Sequence, residues 1–309
     1  MGERMKVTIV GLSLFAKRLA ENLSAYDPKN SYKSLDTYHN NLDKVKATLR
    51  IPKSDCVFSI NGTVQTSKVF DLALKKKIPV IMNWVGTDVV NAIRAHNAGD
   101  YRKEYITDAI HFCEVHWIQE ELKELGINAE IVNFAAFEKS FELKKASSEK
   151  FTVLSYIPEV RADFYGIDSF ISLANKFPEI NFVIAGSEAK EYQPFPSNLK
   201  ALGWVDTMGD LYDKSHVTVR FPEHDGLSTF ILESLARGKK VLYKYPFNYC
   251  EHCPDHDKLE KSVQELYDEY KEGKSLINED GADFIESNFN SERILGELVE
   301  RFKLLKDRK

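Results

Sequence analysis

Short runs of β-branched and apolar residues alternate along the chain with stretches whose apolar positions recur every three or four residues. The first pattern fits buried strands and the second amphipathic helices. Met5-Lys6-Val7-Thr8-Ile9-Val10 predicts a strand closed by Gly11, after which Leu14, Leu19 and Leu23 with Ala16 and Ala20 take helical spacing. The same reading predicts a strand at 56–60, a helix at 67–77, a strand at 79–84 and a helix from 87 onward, with Thr87 or Asp88 as its cap. A strand at 111–118, a helix at 119–125 closed by Gly126 and a strand at 129–134 follow.

Between 135 and 150 the pattern lapses into a polar stretch without a sustained period, and the domain join is placed there. The alternation restarts with strands at 152–157 and 181–185, a helix at 167–176, a short strand near 202–205, a helix at 208–214 and a strand at 217–221. A helix at 228–237 stopped by Gly238 and a strand at 240–243 come next, and the last fifty residues are mostly helical, with Ile294, Leu295, Leu298, Val299 and Phe302 at helical spacing. Strand and helix taking turns predicts α/β architecture: two doubly wound, Rossmann-like domains with parallel sheets facing a cleft. The expected division is an N-terminal domain over 1–140, a second over 150–290 and a C-terminal helix over 291–309 that packs back on the first.

A chain of 309 residues is long enough for two cores. With 43% hydrophobic and 29% charged residues, disordered and fibrous classes are excluded. No apolar run approaches the 18 or so residues of a membrane span, and the start of the chain leads directly into a strand-like run, so a cytoplasmic location is expected. Four cysteines are too few for a disulfide framework and fit a reducing compartment. A net charge of −5 argues against a nucleic-acid surface. Lys75-Lys76-Lys77, the main basic run, reads as the solvated end of a helix or as a local contact with an anionic membrane.

The most informative segment runs from Arg220 to Gly238: a strand, a turn, then a helix. Ser228 at its N-cap leaves the backbone N–H groups of Gly226, Leu227, Ser228, Thr229 and Phe230 near the helix start, where the macrodipole favours an anion such as a diphosphate. Glu233 lies one turn beyond Thr229, and its side chain tilts back toward that end, while Asp225 sits on the loop before it. Two carboxylates bracketing an anion-friendly helix start suit a ligand with hydroxyl groups on both sides of a phosphate bridge, the layout of a nucleotide sugar.

Asp225-Gly226-Leu227-Ser228 through Leu232-Glu233-Ser234-Leu235-Ala236-Arg237-Gly238-Lys239 resembles the signature of retaining GT-B-fold glycosyltransferases of the group 1, family 4-like kind, whose two acidic residues are separated by seven others. Leu202-Gly203-Trp204-Val205 resembles the same family's lead-in, and Trp84-Val85-Gly86-Thr87-Asp88 its acceptor-domain loop, with Val85 where many relatives carry His. The resemblance implies transfer of a sugar from a UDP- or GDP-sugar to a glycan, lipid-linked or small-molecule acceptor with retention, without cofactor or metal. It places Glu233 on the ribose, Asp225 on the transferred sugar, Gly226, Leu227, Ser228 and Thr229 on the diphosphate, Gly203, Trp204 and Val205 at the base, and Gly11 opposite. Gly86, Thr87 and Asp88 would border the acceptor. Where relatives carry a phosphate-binding lysine this chain has Tyr165, so Arg161, and after it Arg220, is the substitute cation.

Other readings remain. His224 beside Asp225 is either an acid–base partner near the reacting centre or an exposed loop histidine. Cys250, His252, Cys253 and His256 are zinc-ligand types, but a single Cys-x-x-Cys assigns no metal. Before the resemblance is counted, Trp84 and Trp204 read as core residues ahead of stacking platforms. A non-catalytic sugar-nucleotide or glycan binder would keep the fold and lose turnover, with Val85 and Tyr165 in its favour. A nicotinamide-dependent oxidoreductase would use Gly11 and Asp36, yet Ser13 and Ala16 stand where its fingerprint needs glycine.

Overall fold

The structure is a computed structural model that describes residues 4–37, 39–135 and 141–306. The chain divides into two compact units, Met1–Glu138 with Phe289–Lys309, and Lys139–Asn288.

In the first unit the elements are β1 (Lys6–Gly11), α1 (Ser13–Tyr26), β2 (Ser31–Ser34), α2 (Asn41–Arg50), β3 (Cys56–Ile60), α3 (Lys68–Lys75), β4 (Val80–Trp84), α4 (Thr87–Asn97), α5 (Lys103–Thr107), β5 (Ile110–Cys113), α6 (His116–Lys123) and β6 (Glu130–Ile131). The second contains β7 (Thr152–Tyr156), α7 (Ile167–Lys176), β8 (Asn181–Ala185), β9 (Leu199–Ala201), α8 (Gly209–Lys214), β10 (Val217–Arg220), α9 (Thr229–Ala236), β11 (Lys240–Tyr243), β12 (Glu251–His252), α10 (His256–Lys271) and α11 (Glu279–Asn288). The last helix, α12 (Ser291–Lys306), returns to the first unit.

Each unit is built on one parallel six-stranded sheet, ordered β2-β1-β3-β4-β5-β6 and β12-β11-β10-β7-β8-β9. This is the α/β architecture that the alternation predicts. Strands β3 and β4 are buried along their whole length, because helices cover both faces of a parallel sheet. On one face of the first sheet α1 packs with α12, whose Ile294, Leu295, Leu298, Val299 and Phe302 are buried; Phe302 meets Phe58 of β3 edge-on at 5.7 Å.

Several expected boundaries move. The strand placed at 111–118 stops at Cys113, and a helix starts at His116. The intervening Glu114 is buried as it accepts a hydrogen bond from Phe134 N at 3.3 Å, which turns the chain. Only Glu130–Ile131 of the strand placed at 129–134 pairs with β5. The strand placed near 202–205 lies three residues earlier, as β9, because Gly203 adopts φ +71° and makes a single antiparallel bridge to Ser187. Helix α4 is capped by Gly86, and Asp88 inside its first turn reaches back to the Val85 and Gly86 N–H groups. Trp84 is in the core, but Trp204 is 75% exposed, against the reading that both are core residues.

Candidate functional site

The carboxyl ends of parallel strands, where loops lead into helix starts, are where such sheets bind ligands. In the second unit β10 ends at Arg220 and α9 begins at Thr229. Ser228 holds the N-cap position with extended backbone, but its side chain makes no capping hydrogen bond. The N–H groups of Ser228, Thr229 and Phe230 therefore have no partner among the described residues. Ser228 is half-buried, Thr229 is exposed and Phe230 is buried, so the helix start lies at the border between solvent and core.

Two tyrosines orient the acids on either side. Glu233 is half-buried, and its Oε2 accepts from the Tyr212 hydroxyl at 2.9 Å. Burial, with the Glu233 charge beside it, raises the Tyr212 pKa well above its ordinary value, so Tyr212 stays a donor. Asp225 is gripped at both oxygens by Arg220, Nε to Oδ2 at 2.8 Å and Nη2 to Oδ1 at 3.1 Å. Tyr243 donates to Asp225 Oδ2 at 3.3 Å and, more closely, to Gly226 O at 2.8 Å. Those contacts hold the loop against β11, and the Gly226 and Leu227 that it carries are buried.

Arg220 is nearly enclosed. Its third nitrogen donates to Tyr156 O at 3.2 Å, and its guanidinium lies 4.7 Å from the centre of the Tyr165 ring. Burial disfavours the cation, but Asp225 outweighs it and holds the pKa above the ordinary arginine value. Tyr165 thus supplies a platform for Arg220 where the family pattern has a lysine, and each of Arg220's three nitrogens donates to a partner inside the protein. Arg161 is exposed, adopts φ +65° and stacks 3.9 Å over the Phe164 ring. Between the two arginines, it is the one with a solvent-facing guanidinium. His224 is half-buried, its ring edge-on to Tyr245 at 6.3 Å.

The end of β8 presents a second loop. Gly186 and Gly203 both have positive φ, and Gly186 N donates to Gly203 O at 2.8 Å. Glu159 accepts from Ser187 Oγ at 2.7 Å and Glu188 N at 2.9 Å, which holds its carboxyl below the usual range. Trp204 stands out from this loop, with Nε1 donating to Asp206 at 3.3 Å. An exposed indole is a face on which a planar ring can stack.

In the first unit, Gly11 has φ +101°, and a Cβ there would lie 2.2 Å from Ile60 O, so only glycine fits. A cavity of about 640 Å³ opens nearby between α2 and α3, lined by Gly11, Ser59, Asn61, Thr63, Lys68 and Asp88 among others. Asp88 ties its rim together by accepting from Gly62 N at 2.7 Å and Gly86 N at 2.8 Å, and from Val85 N and Val89 N. Burial outweighs these donors and pushes its carboxyl up to about 6. Gly86 and Thr87 adjoin Asp88 in sequence without lining the cavity. Among the described residues no group of His, Cys, Asp and Glu is arranged to hold a metal, and Cys253 donates to Glu251 O and Ser262.

No protein-family model and no curated protein sequence matches the chain. Solved structures match it in fold. Anabaena HepE, solved in complex with UDP and glucose, aligns with a TM-score of 0.68 over 97% of this chain and 100% of its own, at 10% identity. The fold is that of the GT-B glycosyltransferases. Sucrose-phosphate synthase from Thermosynechococcus elongatus gives a TM-score of 0.71 over 99% of this chain and 100% of that one, at 11% identity. The pneumococcal O-GlcNAc transferase GtfA, solved with UDP and GlcNAc, gives 0.61 at 11% identity over 84% of this chain, which spans 59% of the GtfA chain.

Tyr212, Tyr243, Glu159 and the α2–α3 cavity are missing from the sequence reading. Tyr212 and Glu233 are 21 positions apart on different helices, a separation that carries no local period. Only the sheet brings them together.

Proposed function

We propose that the protein is a glycosyltransferase that passes a sugar from a UDP-sugar to an acceptor with retention of anomeric configuration, the second unit holding the donor. The observation that carries this reading is the start of α9: three N–H groups without a partner among the described residues, with Glu233 and Asp225 on either side, each hydrogen-bonded to a buried tyrosine. A diphosphate at that end satisfies the free donors and lies in the favourable end of the helix field. Glu233, with one oxygen engaged by Tyr212, has the other for ribose hydroxyls, and Asp225, on the loop before the helix, is assigned to the sugar. Trp204 stacks on the base.

The chemical step is the departure of UDP. Fixed N–H donors stabilise the developing diphosphate charge without reorganising, the usual source of large electrostatic acceleration. Arg161 adds an exposed cation, its guanidinium stacked on Phe164 and not committed to a carboxylate among the described residues. His224, beside Asp225, is the candidate proton carrier near the reacting carbon. UDP as the nucleotide is supported by HepE and GtfA, both solved with it. Retention rests on the resemblance of the 225–233 segment to retaining enzymes. The acceptor is assigned to the first unit, where Ser59, Asn61 and Thr63 line the cavity that Asp88 braces.

The test is thermal stabilisation by UDP and UDP-sugars. The parent should gain stability with UDP and not with NAD. Glu233→Ala should keep the parent's circular dichroism while losing roughly ten-fold or more in UDP affinity, the loss of one charge-assisted hydrogen bond. Equal UDP affinity in the two proteins removes Glu233 from the site. The anomeric proton of the first product, followed by NMR, decides retention against inversion.

A further inference from the structure

Helix α2 is amphipathic in the wrong sense for a helix of a soluble core. Leu42, Val45 and Leu49, at i, i+3 and i+7, form one stripe and are 71%, 59% and 68% exposed. Ala47 is the buried residue of the helix, and it points to the other side, where it lines the α2–α3 cavity with Lys44 and Thr48. A helix in a folded chain ordinarily turns its large apolar residues toward the core, so three on the outward face call for an occupant.

Charge identifies the occupant. Between residues 33 and 53 five Lys and Arg stand against two Asp, in a chain whose formal net charge is −5. Lys33, Lys44, Lys46 and Lys53 are exposed. One of the two acids, Asp43, is already taken by Lys46 at 2.8 Å and by Asp36 N. A second copy of the chain seated on this stripe would set like-charged lysines against each other, since a two-fold interface uses the same patch twice. An apolar stripe flanked by lysines matches a bilayer surface that carries anionic lipid, with the apolar residues among the acyl chains and the ammonium groups at the phosphates. No described helix is long and apolar enough to cross a membrane, so the contact is peripheral.

We propose that the outer face of α2, with Leu42, Val45 and Leu49 at its centre, docks the protein on the surface of a membrane containing anionic lipid. The consequence for the reaction rests on the glycosyltransferase reading. The stripe and the cavity lie on opposite sides of one helix, about 10–12 Å across with its side chains, so docking brings the cavity within a helix's width of the headgroups. An acceptor carried on a lipid is the class that this arrangement serves.

The experiment is co-sedimentation of the full chain with vesicles of mixed phosphatidylglycerol and phosphatidylcholine, against vesicles of phosphatidylcholine alone. The parent should pellet with the anionic vesicles, less so as salt is raised, and Leu42→Ser/Val45→Ser/Leu49→Ser should bind at least about ten-fold more weakly. Those side chains are exposed, so the variant should keep the parent's melting temperature and its stabilisation by UDP. Equal vesicle binding by parent and variant overturns the proposal, as does a parent that ignores anionic vesicles. A parent dimer in ultracentrifugation that the variant converts to monomer overturns it in favour of a second copy. Loss of UDP stabilisation in both proteins would instead count against the glycosyltransferase reading, leaving the vesicle result to decide the docking.

Discussion

Arg220, paired with Asp225, shows how a residue can be indispensable near a site without being free to act in it. The pair is enclosed, doubly hydrogen-bonded and backed by Tyr165 and Tyr243. Removing one partner of a buried pair strands the other charge, a loss of about 3–5 kcal/mol. Asp225→Ala should therefore lower stability by that amount in urea unfolding, and the double variant Arg220→Met/Asp225→Leu should recover much of it. A donor-binding defect in the double variant at restored stability then reports on Asp225 itself. A second residue sets an acid limit. His111 is buried, its Nδ1 accepts from Trp84 Nε1 at 3.1 Å and its Nε2 faces Ile106 O at 3.3 Å, an arrangement that needs the neutral ring. Burial lowers its pKa to about 4. The unfolded chain, titrating near 6.5, binds the proton first, so this contribution is complete above about pH 6.5 and is lost as pH falls through 4, by about 3 kcal/mol. His111→Phe should be less stable at neutral pH, since Trp84 loses its acceptor, and its stability should vary less between pH 6.5 and 4.

Elements explain why glycines sit at the ends of certain strands. Gly11 closes β1 with a conformation that other residues rarely adopt and with Ile60 O pressed against it. Gly166, at φ +83° with Phe221 O 2.3 Å from where a Cβ would sit, plays the same part before α7. Both let a loop turn sharply next to a neighbouring strand. Gly11→Ala should cost at least about 2 kcal/mol, from strain and overlap together, as read by denaturant unfolding. Gly99→Ala is the matched control, with positive φ but open space around it, and it should cost less. The element scale is also where the sequence pattern misleads. The 111–118 run is apolar enough for one strand, yet a buried glutamate in its middle breaks it into a strand and a helix. Short apolar runs fit either element, and only the pairing partner decides.

The whole molecule ties its first unit together with the far end of the chain. The buried side chains of α12 cover one face of that sheet beside α1 and β3. Each contributes roughly 1.5–3 kcal/mol on burial, together on the order of ten, comparable with the 5–15 kcal/mol of a whole domain. A chain ending at Asn288 should lose the cooperative unfolding transition of the first unit in calorimetry while retaining that of the second, and with it stabilisation by UDP. The α/β class, the two parallel sheets and the strand-turn-helix from Arg220 to Gly238 were legible in the sequence, because burial of strands and helix faces imprints local periods of two to four residues. The pairing of Tyr212 with Glu233, the enclosure of Arg220 by Tyr165, the exposure of Trp204 and the outward face of α2 were not. An apolar residue at helical spacing reads the same whether it faces the core or the solvent, and a hydrogen bond across 21 positions leaves no local trace. The chain by itself determined which elements form and roughly where they end; which side chains meet, and which are left facing outward, was decided only when the sheets brought distant segments side by side.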